Sequence, residues 1–284
     1  LVSTVTCDIY SNISMVKQEV IEFRQSDLGT AELCLEALRR NYADPQPEKL
    51  STDLVRGNVV HAAIEALGQD MIDGKRPTID RMFNAAQLSQ DWYFPRVHED
   101  GWRETQEKTE LIIMNNIEAF FEDVLPELSV PDAVEKPFRH LLYETETEAV
   151  YLKGTRDWDD PILGAVDWKN PGRKPAAWEL QRGDIQSTVY LWAMAQEDGD
   201  LDKTREFHRV HLINGDVDWV TIRRGPKDYA ALTEKVHAMV QLHKAKLPVW
   251  PMTWKGWYCS PKWCDHWDNC RGLHLGDKPW PAST

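Results

Sequence analysis

The residues best suited to chemistry are two aspartates and a lysine near the middle of the chain. Asp167 and Lys169 stand at positions i and i+2, just after an apolar run at 162–166 that predicts a buried strand. Alternate residues of a strand point to the same face, so the two charged side chains lie together. The turn sequence at 159–161 predicts a hairpin, which brings Asp157 of the preceding strand beside them.

Two carboxylates on one face of a sheet repel each other unless a cation lies between them. Hard oxygen ligands favour Mg²⁺ or Mn²⁺. A neighbouring ammonium can orient or deprotonate water and stabilise charge that develops on a phosphate. The three residues therefore indicate metal-dependent attack on a phosphate ester. An Asp-x-Lys segment is also typical of a solvated strand face with a surface ion pair, and the three residues alone leave that alternative open.

Two residue pairs with a spacing of four on predicted helices each share one helix face. In the first pair, Gly57 allows a ligand or backbone to approach closely, and the neutral imidazole of His61 is a good metal ligand. The second pair, Gln186 and Tyr190, lies on the helix after the hairpin and can point back at the carboxylates or at a nucleic-acid strand. Ordinary helix packing is the alternative for each pair taken alone.

The cysteines suggest a second metal site. Cys34 stands near the start of the chain, and Cys259, Cys264 and Cys270 cluster near its end, while Cys7 is the odd one. Nothing in the sequence indicates secretion, and clustered thiols in a reducing compartment bind metal more often than they form disulfides.

Hydrophobic periodicity and turn signals predict a mixed α/β chain. The predicted helices span residues 26–42, 51–67, 79–84, 104–125, 184–196 and 227–246. The predicted strands span residues 138–143, 149–158, 162–168, 207–213 and 219–222. The tail from residue 248 onward is rich in Trp, Pro and Cys and has no periodicity, so it needs a cross-link to hold it.

Composition excludes some classes of protein. The 284 residues contain no apolar run that could span a membrane, and residues 1–14 lack the pattern of a secretory signal, so we expect a cytoplasmic protein. The net charge of −13 disfavours DNA binding over the whole surface, because such binding needs phosphates to be neutralised. Local basic clusters still offer phosphate contacts. The candidate DNA-binding residues are Arg39, Arg40, Arg173, Lys174 and Arg182.

Four short motifs occur in a specific order along the chain. They are Gly57-x-x-x-His61, Gly154-x-x-Asp157, Asp167-x-Lys169 and Gln186-x-x-x-Tyr190. The series resembles the RecB-like branch of the PD-(D/E)XK nucleases. That branch includes the AddB nuclease domain, CRISPR-associated spacer-acquisition exonucleases, exonuclease V and small phage homologues. The resemblance extends from about residue 26 to residue 270.

The resemblance implies an α/β fold with a restriction-endonuclease-like core, in which helices flank a central mixed β-sheet. A helical N-terminal subregion and a Cys/Trp-rich C-terminal tail accompany that core. We expect an N-terminal extension at residues 1–14 and a single nuclease domain at 15–284. Its parts would be a helical subregion (26–130), the core (131–247) and a tail (248–284) that closes a metal cluster with Cys34.

The resemblance also implies roles for the motif residues. His61, Asp157 and Asp167 would bind Mg²⁺ or Mn²⁺, with the main-chain carbonyl of Trp168 as a further ligand. Lys169 would be the catalytic lysine in the hydrolysis of a phosphodiester by metal-activated water, which leaves a 5′-phosphate and a 3′-hydroxyl. The two residues that would shape the active site or hold the DNA strand are Gln186 and Tyr190.

In the iron–sulfur members of this branch, one cysteine precedes the nuclease core and three follow it. The implied cofactor is therefore a [4Fe–4S] cluster on Cys34, Cys259, Cys264 and Cys270. The trailing spacing here is C-x4-C-x5-C, whereas the family has C-x2-C-x5-C. Zinc on the four cysteines, with His266 as an alternative ligand, therefore remains the rival.

We expect a metal-dependent DNA exonuclease that acts on single-stranded ends in recombination, repair or end processing, phage-encoded or CRISPR-associated. It would work in the cytoplasm, that of the host if phage-encoded. The chain lacks the phosphate-binding loop of helicases, so unwinding would need a helicase, recombinase or CRISPR-adaptation partner. The competing hypothesis is a non-catalytic DNA-binding or scaffold module. The tail tryptophans, including Trp257, Trp263 and Trp267, would either stack on unpaired bases or pack around the metal.

Overall fold

The computed structural model describes residues 18–46, 50–97, 99–253 and 256–272. The predicted extension at 1–14 with Cys7, and the end of the predicted tail at 273–284, lie outside the described residues. Within the described ranges, no helix combines the length and the apolar character that a membrane span requires.

One mixed sheet holds the six strands of the described chain. The strands are β1 (Glu19–Arg24), β2 (Ala133–Glu144), β3 (Glu148–Asp160), β4 (Gly164–Lys169), β5 (Arg205–Ile213) and β6 (Asp216–Arg224). The main path is β1-β3-β4-β5-β6, and β2 also pairs with β3. The β1/β3 and β4/β5 pairs are parallel and the remaining pairs are antiparallel. This arrangement confirms the predicted fold class.

β3 carries a gap along one of its two edges. β2 pairs along one edge, and β1 and β4 share the other. β1 ends its pairing at Lys153, and β4 pairs only with the three residues from Trp158 to Asp160. Residues 154–157 therefore have no strand partner on the shared edge within the described chain. β3 and β4 diverge at this point like the arms of a fork, with Asp157 and Asp167 next to the last residue pair.

Helices cover both faces of the sheet. In the described chain they are α1 (Gln25–Leu33), α2 (Leu35–Ala43), α3 (Thr52–Ile72), α4 (Ile79–Tyr93), α5 (Gln106–Ala119), α6 (Ala177–Gly183), α7 (Ile185–Asp198) and α8 (Pro226–Lys244). α3, α4 and α5 bury residues such as Val59 and Ile113 against Trp158 and Trp168 on one face. α1, α2, α7 and α8 form a second core on the opposite face, around Phe207.

Polar side chains cap the starts of four helices. Ser51, Thr78, Thr105 and Asp184 each accept a hydrogen bond from a backbone N–H three residues on, at the first turns of α3, α4, α5 and α7. α7 ends at Gly199, whose φ of 68° lies in the left-handed region. These caps hold α3 and α7 in register against the sheet, and both helices carry candidate site residues.

The predicted single helix at 26–42 is wrong. α1 and α2 are separated by Cys34, which is extended with φ −165° and ψ 116°. Helical periodicity continues through this point, so the break has no local signal. A contact with the tail stabilises the extended conformation of Cys34, because the Thr253 amide donates to the Cys34 sulfur at 3.5 Å. The sequence also failed to predict the edge strand β1, which buries only Ile21 and Phe23, and the short helix α6.

We predict that Gly154→Ala destabilises the fold. A Cβ at Gly154 would lie 2.8 Å from a ring carbon of Phe138, so that ring must shift. Overpacking of this kind costs about 1–3 kcal/mol in the free energy of unfolding, which urea denaturation measures. The control is Gly29→Ala in α1, where a Cβ meets no described atom within 4 Å. Gly29→Ala should raise the free energy of unfolding by about 0.5–1 kcal/mol. Equal changes in the free energy of unfolding for the two variants would contradict the prediction.

Candidate active site

The fork between β3 and β4 buries two carboxylates whose oxygens are not all satisfied. Asp157 is 7% exposed and Asp167 is fully buried. Among the described residues, Oδ2 of each aspartate has no hydrogen-bond partner. Leaving a buried charged oxygen without a donor costs more than leaving a neutral one. These two oxygens are therefore candidate ligands for a cation at this position.

Asp167 is held in place by three neighbours. Its Oδ1 accepts hydrogen bonds from Lys169 Nζ and from Gln186 Nε2, both at 2.9 Å. Arg209 Nε on β5 lies 3.4 Å from its Oδ2. Gln186 Nε2 also donates to the Tyr190 hydroxyl at 2.9 Å, so both predicted residues of α7 reach the carboxylate or its immediate partner.

Arg209 was not predicted from the sequence, and it links the elements around Asp167. Its Nη2 donates to Gln186 Oε1 at 3.0 Å, and its Nη1 donates to Asp184 Oδ1 at 3.0 Å. Asp184 also caps α7, so one carboxylate fixes both the helix and the arginine. β5 lies beside β4 with Arg209 opposite Asp167. Only that strand pairing, which links distant segments of the chain, identifies it.

His61 on α3 approaches the fork from the other face of the sheet. Its Nε2 donates to the Trp168 carbonyl at 2.9 Å, so two predicted metal ligands contact each other directly. Its Nδ1 lies 3.4 Å from Asp157 Oδ2 and 4.0 Å from Glu135 Oε1. One ligand atom each of His61, Glu135 and Asp157 lie within 4.8 Å of one another.

Glu135 is the site residue that the sequence analysis missed. It stands on β2 opposite Asp157, between the paired residues Val134 and Lys136, and has a φ of 45°. A glutamate in the left-handed region is uncommon and such strain clusters at functional sites. The missing signal was the register of the β2–β3 hairpin, which would have placed a carboxylate beside Asp157.

Burial and charge shift the titration of the site. Burial, with the nearby charge of Asp167, raises the pKa of Asp157 to about 7. Burial also opposes ionisation of Asp167, but Lys169 and Arg209 outweigh it and lower the pKa of that carboxyl. Burial lowers the pKa of His61, yet the neighbouring Glu135 and Asp157 carboxylates raise it overall. The two aspartates therefore differ in protonation near neutral pH without a metal.

The donor set fits Mg²⁺ or Mn²⁺. Two buried carboxylate oxygens without hydrogen-bond donors in the described chain are the kind of ligand that hard divalent cations need. Glu135 adds a third carboxylate, and the Trp168 carbonyl lies at the same edge. The imidazole of His61 makes the set slightly softer, which suits Mn²⁺ at least as well as Mg²⁺.

An open cleft of about 820 Å³ lies above the fork. Lys169 and Arg209 line one part of it and His61 lines another. Gly57 borders the cleft one turn before His61, but a Cβ there would meet no described atom within 4 Å. No other segment of the described chain therefore approaches Gly57, and the glycine faces the open space of the cleft, where approach of a ligand stays a prediction. Glu65, one turn after His61, brings another carboxyl to the same wall.

The candidate DNA-binding residues lie in different places. Arg173 and Lys174 are exposed on the segment between Pro171 and Pro175, two residues that line the cleft. Lys174 forms an ion pair with Asp218. The remaining candidates lie away from the cleft lining: Arg182 at the end of α6, and Arg39 and Arg40 on α2, both bonded to the buried Glu36.

The four predicted cluster ligands, Cys34, Cys259, Cys264 and Cys270, line one small, largely apolar pocket. Burial and the other thiols raise the pKa of Cys259 and of Cys264. Thiols in such a pocket stay neutral unless a cation replaces their protons.

Hydrogen bonds with α2 hold the chain around this pocket. The Trp250 amide donates to Glu36 Oε2 at 2.8 Å, and His266 Nε2 lies 2.7 Å from Asn41 Oδ1. The tail is therefore packed against α2.

Comparison with known proteins finds one matching family. The model of the PD-(D/E)XK nuclease superfamily matches residues 26–271. No curated protein matches the chain. A solved structure described as "Crystal structure of SSO0001" has 14% sequence identity, covers 85% of this chain and 95% of that chain, and has a TM-score of 0.36. A likeness at that TM-score supports no functional argument.

We predict that Asp157→Asn stabilises the metal-free protein at alkaline pH. The stability that protonated Asp157 contributes is complete below its ordinary pKa of 3.8 and is lost as the pH rises through about 7. The neutral amide of this variant cannot ionise and so avoids this loss of stability. Urea unfolding in EDTA at pH 8 should therefore show a free energy of unfolding roughly 1–3 kcal/mol higher for the Asp157→Asn variant than for the parent protein. The gain should be smaller at pH 4.

The matched control is Asp159→Asn on the same strand. Asp159 accepts two hydrogen bonds from Arg156, each at 2.7 Å, so its charge is already paired. Removing it should lower the free energy of unfolding, because a buried arginine loses a partner. A loss of stability at pH 8 for Asp157→Asn as well would contradict the assignment of an uncompensated charge.

Proposed function

The chain belongs to the PD-(D/E)XK nuclease superfamily, and from this membership we propose that it is a metal-dependent DNA exonuclease acting on single-stranded ends. The superfamily carries out metal-dependent hydrolysis of nucleic-acid phosphodiesters. One observation carries the proposal for this chain. Asp157 and Asp167 bury carboxylate oxygens that lack a hydrogen-bond donor in the described chain, and Lys169 lies beside them at the cleft.

Each residue of the fork then has a task. Asp157, Asp167, His61 and Glu135 would hold the divalent ion, with the Trp168 carbonyl as a further ligand. The bound ion would supply Lewis-acid activation of the phosphate and of the attacking water. This assignment adds Glu135 to the ligands that the motifs imply.

Lys169 is suited to act on the phosphate itself. Its Nζ contacts Asp167 Oδ1 at 2.9 Å and its side chain also borders the cleft. An ammonium held by a carboxylate keeps its position and can stabilise negative charge that develops on the phosphate oxygens. Gln186 fixes the other side of the same Asp167 oxygen, and Tyr190 in turn fixes Gln186. Gln186 and Tyr190 are therefore positioning residues in this proposal.

The cleft has room for part of a nucleic-acid strand. About 820 Å³ lies within the range of small-ligand sites, which run from about 300 to 1,000 Å³. Such a space can hold a few unpaired nucleotides. An enzyme of this kind would process DNA ends in recombination or repair and would depend on a helicase or recombinase partner for unwinding.

We also propose that the four cysteines hold a [4Fe–4S] cluster. Tetrahedral zinc with bonds of about 2.3 Å holds its sulfurs about 3.8 Å apart. No three thiol sulfurs of the described chain lie within 4.8 Å of one another. The four thiols line one shared pocket, which supports a single common cofactor, and the resemblance to the iron–sulfur branch favours the cluster over zinc. The cluster would be structural, since it joins Cys34 to the three cysteines of the tail.

Lys169→Ala and Asp167→Ala should each slow cleavage of end-labelled single-stranded DNA at least about 100-fold in Mg²⁺ or Mn²⁺. The control is Lys227→Ala at the exposed start of α8, which should cleave as fast as the parent protein. Substrates labelled at the 5′ or 3′ end give the polarity, and circular single strands should resist an exonuclease. Full activity of both site variants would contradict the proposal. Binding without cleavage in either metal would favour a non-catalytic module.

Anaerobically purified protein should contain about four irons and four sulfides per chain. Cys264→Ser should lose most of this iron, because the cluster would lack one thiolate. Cys7→Ser is the control and should keep it, since Cys7 is outside the proposed ligand set. A colourless protein with about one zinc per chain would show that the cysteines bind zinc instead.

A further inference from the structure

Four tryptophans are exposed in the part of the chain that the structure describes. Trp92, Trp178 and Trp257 are 53%, 64% and 63% exposed, and Trp263 is 37% exposed. A tryptophan has a large apolar area, and burying it stabilises a fold strongly. Several such rings left in solvent near one another mark an interaction surface.

Trp92 and Trp178 flank residues of the active-site cleft. Trp92 immediately precedes Tyr93, which lines the cleft at the end of α4. Trp178 stands in α6 between Pro175 and Leu180, both of which line the cleft. Trp92 on α4 and Trp178 on α6 therefore stand on helices that contribute residues to the lining of the same cleft.

Contacts through Arg103 connect the other two tryptophans, both in the tail, to a residue that lines the cleft. The Arg103 guanidinium lies 4.1 Å from the ring centre of Trp263, and it forms an ion pair with Asp53, which lines the cleft. Trp257 packs edge-on against Trp263, with ring centres 5.4 Å apart and planes at 87°. Trp267 differs, because it is 9% exposed and packs inside the tail. Of the two alternatives for the tail tryptophans, stacking on bases is thus open to Trp257 and Trp263, whereas packing within the tail describes Trp267.

Cationic side chains lie over two of the four exposed tryptophan rings by themselves or with a second cation, and the other two rings differ. Arg96 lies 4.2 Å from the ring centre of Trp92, and Lys262 lies 5.1 Å from that of Trp263. In the described chain, no cation covers Trp178 or Trp257. These two most exposed rings can each offer a face to a flat ligand, and positive charge stands nearby for its phosphates.

Electrostatics alone would bind DNA weakly at this cleft. The net charge is −13, and the basic side chains at the cleft are already committed to carboxylates. Lys169 pairs with Asp167, and Arg209 pairs with Asp184. Arg56 on α3 pairs with Glu104 at 2.8 Å. Affinity for a substrate strand must therefore come largely from contacts other than free phosphate pairs.

We propose that Trp178, Trp257 and Trp263 form a platform that selects single-stranded DNA by stacking on its unpaired bases. The proposal rests on the proposed nuclease function and names the source of its substrate preference. Bases in a duplex are already stacked on one another and offer no free faces. A single strand offers both free base faces for the rings and phosphates for Lys262, which lies 5.1 Å from the ring centre of Trp263. A purely apolar partner would leave that cation without a role.

The test is binding of a fluorescent oligothymidylate and of a hairpin duplex to the full chain in EDTA, followed by anisotropy. Trp257→Ala and Trp178→Ala should each weaken single-strand binding roughly 5- to 100-fold, so the preference for single strands over duplex falls. Trp257→Phe should keep most of the affinity, whereas Trp257→Leu should not, because leucine is apolar but cannot stack. Trp178 is remote in sequence from the cysteine tail, so its variant tests the platform even if the tail is disturbed.

Ile162→Ala provides the control, because Ile162 is 82% exposed at the β3–β4 turn and away from the cleft lining. It should bind like the parent protein. Binding should also depend weakly on salt, with a slope of log K against log salt of about −1 to −2. Unchanged single-strand affinity in both Trp257→Ala and Trp178→Ala would overturn the platform. If these variants keep that affinity and lose self-association instead, the rings bind a second copy of this chain. Because no cleavage is measured, the outcome is independent of whether the protein proves to be a nuclease.

Discussion

The divergence of β3 and β4 after three residue pairs is the constraint on which the candidate site depends. Beyond the last pair, Trp158 with Val166, the two strands turn apart and leave main-chain groups and side chains without strand partners on that edge. Asp157 and Asp167 stand at this point, and the freed carbonyl of Trp168 accepts a hydrogen bond from His61. A continuous hairpin would have paired these groups within the sheet, and no site for a cation would exist there.

Charge compensation along β3 differs sharply between neighbouring residues. Arg156 is buried, and it donates to both Asp159 and Glu197. That network lowers the pKa of Glu197 to about 2, although burial opposes ionisation of the group. Asp157 has no such arginine and its pKa rises to about 7. The fold therefore neutralises Asp159 and Glu197 with a buried arginine and leaves the candidate metal ligand Asp157 without one, at a cost in stability.

The second constraint is the break at Cys34, which couples the first two helices to the end of the chain. The irregular tail has little core of its own and relies on Glu36, Asn41 and the cysteine pocket for its position. The same attachment sets Trp263 against Arg103, whose partner Asp53 lines the cleft. Substrate preference, in the proposal made above, would thus depend on a structural cofactor far from the hydrolytic chemistry along the chain.

The sequence by itself determined the mixed α/β class, most helices and strands, and the grouping of Asp157, Asp167 and Lys169, because strand alternation and a turn signal are local. Tertiary structure decided the rest. Glu135 and Arg209 reach the fork through strand register, which couples segments distant along the chain and leaves no periodic pattern. Cys34 breaks a helix whose local propensity continues, because contacts with the tail outweigh one turn of helix. The sequence could not predict that Trp257 is exposed and Trp267 is buried, because both are tryptophans of one aperiodic segment and differ only in what packs against them.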